Sequence, residues 1–213
     1  MLIDIQIANK KVLVMGGGKI AERKVKNLLH FRPNITLISK TFTPYLENLQ
    51  SEGMIHLIEG DLLQNDELFD ELIEASLVYA ATNNKELNSY VSSKARENKI
   101  LVCAVDMPDI CDFYTPATFQ KGSIRIGICT EGKSPLMSKI LKNRLKDQLT
   151  KEDALQVELQ CFAREKTKEH IGDTNQRRDL LYKIYNDEEI RLLLKQDQLD
   201  DAKKQAEKLL RID

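Results

Sequence analysis

Val12-Leu13-Val14-Met15-Gly16-Gly17-Gly18-Lys19-Ile20-Ala21 decides the fold of this chain. Four apolar residues run straight into three glycines, and an amphipathic stretch, residues 20–29, follows. The pattern G-x-G-x-x-A falls on Gly16, Gly18 and Ala21. A strand that passes through such a turn into a helix is the phosphate-binding element of dinucleotide folds. Gly16 permits the tight turn, Gly18 admits a pyrophosphate against bare backbone, and Ala21 lets helix and strand pack closely. The new helix then offers free N–H groups and a partial positive charge to the phosphates. Gly16, Gly17, Gly18, Lys19 and Ile20 are therefore candidate cofactor contacts. A glycine turn of this kind also occurs without a ligand; its place inside a βαβ unit favours the dinucleotide.

Working outward, apolar β-branched runs recur at residues 35–38, 55–58, 77–81 and 101–105. They are continuous rather than alternating, as strands buried on both faces of a parallel sheet are. Residues 44–50, 66–74 and 85–97 between them have helical character. The β-α-β-α order predicts a Rossmann-type parallel sheet covered by helices on both faces, an α/β fold. Past Pro108 the rhythm changes. Strands are expected near 113–119 and 123–129, the second strictly alternating, with Ile124, Ile126 and Ile128 on one face. Ser134-Pro135 opens a helix to about residue 149, with Ser at the N-cap and Pro at N1. From Lys151 the chain is charged and helical, with apolar stripes at Leu180, Leu181, Ile184 and Tyr185, then at Ile190, Leu192, Leu193 and Leu194. The expected organisation is a nucleotide-binding domain at 1–112, a small α+β dimerisation and substrate region at 113–149, and a helical domain at 150–213.

Composition narrows the function classes. The net charge of −1 and the absence of Trp give no footprint for nucleic acid. No run approaches the roughly 18 apolar residues of a membrane span, and the N-terminus lacks a signal-peptide pattern. Cys103, Cys111, Cys129 and Cys161 form no CxxC pair, so neither a disulfide framework nor a zinc site is expected. His30, His56 and His170 are too scattered to suggest a metal site. A soluble, cytoplasmic protein is the expectation.

One part of the fingerprint is missing. An acidic residue about 20 residues beyond the glycines normally binds the ribose 2′-hydroxyl. Here the second strand ends in Ser39-Lys40-Thr41. Lys40 suits a 2′-phosphate, whereas Ser39 or Thr41 suits a hydroxyl, so local chemistry leaves NAD and NADP open. Thr82 and Asn83, after the fourth strand, fall where a cofactor crosses the sheet edge and where a helix cap is also expected.

Four segments together resemble one family. Residues 14–24 resemble the opening of precorrin-2 dehydrogenases, the oxidase part of siroheme synthases. Ala80-Ala81-Thr82-Asn83 resembles their second nucleotide-contact loop, Val105-Asp106-Met107-Pro108 with Cys111-Asp112-Phe113 their V-D-x-P…C-D-F segment, and Thr130-Glu131-Gly132-Lys133-Ser134-Pro135 their T-x-G-x-S-P signature. The family also lacks the acidic ribose ligand, so the resemblance implies NAD despite Lys40. It further implies oxidation of precorrin-2 to sirohydrochlorin on the way to siroheme, and a homodimer. Some members also insert ferrous iron. The resemblance makes Asp106 the catalytic base, at the carboxyl end of the fifth strand, where burial beside an apolar macrocycle would raise its pKa. Asp106 reads equally as a turn cap before Pro108. Ser134 and Lys133 are candidate contacts for substrate carboxylates, with the N-cap as the plainer role for Ser134. The rival reading is an NAD(H)-sensing dimeric regulatory module, which needs the glycine turn but no strand-end aspartate. An NADP enzyme for a smaller substrate is a further alternative.

Overall fold

The computed structural model describes residues 2–210. They divide into two compact units, the first running to Thr115 and the second beginning at Pro116.

The first unit holds five parallel strands: β1 Lys11–Met15, β2 Asn34–Ser39, β3 His56–Glu59, β4 Leu77–Ala80 and β5 Leu101–Ala104. Their order, β3-β2-β1-β4-β5, reverses direction between β1 and β4. In open α/β sheets ligands bind outside the carboxyl ends of the strands at such a reversal. Helices α1 Lys19–Leu29, α2 Pro44–Ser51 and α3 Lys85–Glu97 connect the strands, and a 3₁₀ helix, Asp66–Leu72, stands where a helix was expected before β4. Val12, Leu13, Val14 and Met15 are all fully buried, because alternate residues feed two cores. Val12 and Val14 pack on the α1 and α2 side, with Ala21 and Val25. Leu13 and Met15 pack on the α3 side, with Val91 and Ala95. The run at 55–58 departs from expectation. β3 is an edge strand, so His56 is exposed and Leu57 and Ile58 are only half-buried.

The other edge, β5, is closed by its own chain. After β5 the chain turns at Asp106 and comes back alongside. Asp112 N–H donates to the Val102 carbonyl at 2.8 Å, and Val102 N–H donates to Asp112 Oδ2 at 3.0 Å. Cys111 Sγ lies 3.1 Å from both N and O of Ala104. Exposed strand edges invite pairing with other chains, and this return segment occupies the groups that would pair. Phe113 then packs edge-to-face on Tyr79. The expected strand at 113–119 starts later, at Ala117, after Phe113 has packed on the β4 side chain Tyr79.

In the second unit β6 Ala117–Lys121 and β7 Ile124–Ile128 form an antiparallel hairpin. α4 Pro135–Gln148, α5 Lys151–His170, α6 Thr174–Asn186, α7 Glu188–Lys195 and α8 Leu199–Leu210 follow. Leu159, Ala163, Ile184, Ile190, Leu194, Ala202 and Ala206 make the core of the last four helices. Tyr185 and Leu192, counted in the apolar stripes by sequence, lie exposed instead. Hairpin and helices share one unit, and residue 150 is the junction between α4 and α5 within it.

Candidate functional site

The site grows from the end of β1. Gly16 adopts φ +121°, and a Cβ there would stand 2.6 Å from the Ala81 carbonyl oxygen. Only glycine allows the β1 and β4 termini to approach this closely. Gly17 is also required: its Cβ would lie 2.0 Å from the Thr41 carbonyl oxygen and 2.7 Å from the Phe42 ring. Gly17 carbonyl accepts from Thr43 N–H at 3.0 Å, which ties the turn to the loop after β2. Gly18 differs from both. Nothing lies within 4 Å of its Cβ position, and it is exposed. It is the N-cap residue of α1, and no side chain caps that helix. Bare backbone and an uncapped helix start thus face open space, which is what an incoming pyrophosphate needs.

That space is a pocket of about 500 Å³. Gly16, Gly17, Gly18, Lys19, Ile20, Ser39, Lys40, Thr41, Thr82 and Asn83 all line it, so one cavity gathers every residue expected to meet the cofactor. Ile38, Leu62, Leu63 and Leu87 supply apolar wall. The donor set fits a dinucleotide: backbone amides at one strand end, hydroxyls and amides at its neighbours, and apolar surface for a base.

Two supporting residues escaped the sequence reading. Asn88 of α3 is buried and binds Thr82 at three points. Its Oδ1 accepts from Thr82 N–H at 3.2 Å and from Thr82 Oγ1 at 2.7 Å, while its Nδ2 donates to the Thr82 carbonyl at 3.1 Å. Asn84 caps α3 by accepting from Leu87 N–H, so cap and pocket wall coexist in one loop. Asp61 follows β3 and lines the same pocket. Its Oδ2 meets Lys40 Nζ at 2.6 Å. That ammonium, and the Leu63 N–H donating to its other oxygen, hold the Asp61 carboxyl below the usual carboxylate range. Gly60-Asp61, one residue past the apolar run at 55–58, was the available signal for a strand-end acid.

Asp106 lies outside the lining of that pocket, at the same carboxyl edge of the sheet. It stands two residues past the last paired position of β5, as Thr82 does on β4. It is exposed and held at φ +57°. Asp is among the few residues that tolerate this left-handed conformation, which here turns the chain back along β5. The burial expected around Asp106 is therefore not provided by its own unit.

In the second unit, Glu131 and Gly132 both take positive φ, and Lys133 N–H donates to the Thr130 carbonyl at 2.8 Å, making a tight bend into α4. Ser134 Oγ accepts from Met137 N–H, the expected N-cap. Lys133 pairs with Glu131 at 2.9 Å, both side chains being widely exposed. Among the described residues no group of three or more His, Cys, Asp or Glu is placed to hold a metal ion, and no helix is long and apolar enough to cross a membrane.

Comparisons with known proteins agree with this geometry. A family model described as "Putative NAD(P)-binding" matches residues 3–117. A precorrin-2 dehydrogenase of Methanosarcina barkeri is 31% identical over 188 residues, covering 87% of this chain and 83% of that protein. A siroheme synthase of Ruthia magnifica is 32% identical over 86% of this chain, but the chain spans only 38% of that longer protein. Among solved structures, SirC, a precorrin-2 dehydrogenase, shares the fold with a TM-score of 0.76 at 23% identity, covering 98% of this chain and 99% of its own. An NAD(P)-binding sheet reversal, with sequence identity sustained well beyond it into the second unit, makes this chain a member of the precorrin-2 dehydrogenase family.

Proposed function

We propose that the chain oxidises precorrin-2 to sirohydrochlorin with NAD as electron acceptor, a step toward siroheme. The observation that carries this reading is the pocket at the β1–β4 reversal, with its bare glycine backbone and uncapped helix start, standing on the same sheet edge as Asp106. NAD bound there supplies the carbon that takes a hydride from the macrocycle.

The chain's own residues do the rest. Gly16–Gly18 and the start of α1 grip the pyrophosphate. Thr82, fixed by Asn88, and Asn83 border the cofactor beyond it. Asp106 receives the proton that leaves the substrate as the hydride departs, so two electrons and two hydrogens are accounted for. An exposed aspartate suits this role when the substrate itself covers it, since an apolar macrocycle then raises its proton affinity. Ser134 and Lys133 meet substrate carboxylates, Lys133 by exchanging its exposed Glu131 partner.

The working unit is a homodimer. α4 buries only Ser138 and leaves Leu136, Met137, Ile140 and Leu145 exposed, an apolar surface that a second copy would cover. Its location is the cytoplasm, where its four free thiols persist. Ferrous iron, as a substrate, is a second activity, with Asp106 accepting the pyrrole protons that metal entry displaces.

Adding precorrin-2 and NAD to the purified protein and following the NADH absorbance band tests cofactor, substrate and reaction together. NADH must appear in step with sirohydrochlorin; no NADH above the spontaneous rate ends the proposal. Iron insertion measured without NAD separates the second activity, and a sedimentation mass of a single subunit rejects the dimer.

A further inference from the structure

We infer that the Lys40–Asp61 ion pair sets the choice between NAD and NADP, with Asp61 as the residue that turns the 2′-phosphate away. The inference rests on the pocket binding a dinucleotide. The fold normally places its ribose-reading residue at the end of the second strand, an acid for a hydroxyl or a base for a phosphate. This chain has Lys40 there, which alone would favour NADP. The neighbouring strand supplies the missing acid.

β2 and β3 pair in register up to Ser39 and Glu59, and Gly60 N–H extends the ladder to the Ser39 carbonyl at 3.0 Å. The two strand-end loops are thus held side by side, and both Lys40 and Asp61 line the pocket. The two partners are not equally fixed. The Asp61 side chain is 17% exposed, with Oδ1 tied to Leu63 N–H at 3.1 Å and Oδ2 to Lys40 at 2.6 Å. The Lys40 side chain is 64% exposed and makes this contact with its tip. Asp61 is therefore the anchored charge and Lys40 the movable one.

A ribose 2′-hydroxyl can donate to the ionised Asp61 carboxylate in a charge-assisted hydrogen bond. A 2′-phosphate brings about −1.5 to −2 charges to the same place. It must pull Lys40 off Asp61 and then stand beside an uncompensated carboxylate. Discrimination of this kind comes from the repulsive element as much as from the attractive one.

The test titrates wild type, Asp61→Asn and the Asp61→Asn, Lys40→Met double variant with NADH and with NADPH, following nucleotide fluorescence. Asn at 61 keeps an oxygen for Leu63 N–H, so the loop is retained, and a thermal melt checks this. Wild type should prefer NADH. Asp61→Asn should narrow the NADH-to-NADPH affinity ratio by about tenfold or more, as removal of a close like charge predicts, mainly through tighter NADPH. The double variant should lose that gain. A ratio within about twofold of wild type in Asp61→Asn overturns the inference while leaving the dinucleotide pocket standing, on the scale of a spent exposed pair. Wild type that binds neither nucleotide overturns both.

Discussion

Asn88 on α3 holds Thr82 by its N–H, its hydroxyl and its carbonyl at once. A single buried carboxamide thereby fixes the loop after β4 against the glycine turn after β1. In Asn88→Ala the Thr82 backbone groups lose their partner. Loss of stability on the order of 1–3 kcal/mol is expected from unpaired buried polar groups, together with weaker NADH binding. Chemical denaturation and a nucleotide titration measure the two. Unchanged NADH affinity would show that Thr82 needs no such fixing.

Gly17 and Gly18 should differ in stability, though not in the direction of nucleotide affinity, when each is replaced by Ala. Gly17→Ala drives a methyl into the Thr41 carbonyl and the Phe42 ring, so the protein loses stability as well as nucleotide affinity. Gly18→Ala meets no protein atom, so the melting temperature should stay near wild type while NADH affinity falls. Paired melts and titrations of the two variants check the contrast.

Asp106→Asn tests the proton acceptor. Asn tolerates φ +57° as Asp does, so the turn survives. NADH binding should match wild type while turnover falls at least about a hundredfold, the usual worth of a positioned base. A variant that keeps full kcat takes Asp106 out of the chemistry.

The return segment along β5 has a stability signature. Asp112→Ala removes the acceptor for Val102 N–H and the partner of Arg96. A loss of about 1–2 kcal/mol in denaturant unfolding is expected.

Burial pushes the Cys103 thiol up to about 11 from 9.0. The folded value is raised, so this group's contribution to stability is complete below 9.0 and fades as the pH climbs through about 11. Unfolding midpoints followed across that window should fall, and Cys103→Ala should flatten the fall. At neutral pH, Cys103 should resist alkylation until the protein unfolds.

The sequence carried most of the nucleotide half because its signals are local. Continuous apolar runs, a glycine turn and helix caps each depend on neighbours within a few residues, and α3 at Lys85–Glu97 matches the expected 85–97. What it did not carry depends on sheet order. β3 reads as fully buried until it is known to be the edge. Asp61 stands about twenty positions beyond Lys40 in sequence, and only parallel pairing of β2 with β3 brings them together. Asn88 reads as an ordinary polar helix residue until the β4 loop folds over it. Cys111 reads as a small hydrophobe, while its sulfur bonds the β5 backbone.

The closed β5 edge also fixes where the sheet stops. With Cys111 and Asp112 occupying the Val102 and Ala104 backbone, no sixth strand can be added there. A strand from another molecule therefore cannot lengthen the sheet on the β5 side, and the sheet ends there in any assembly the protein forms.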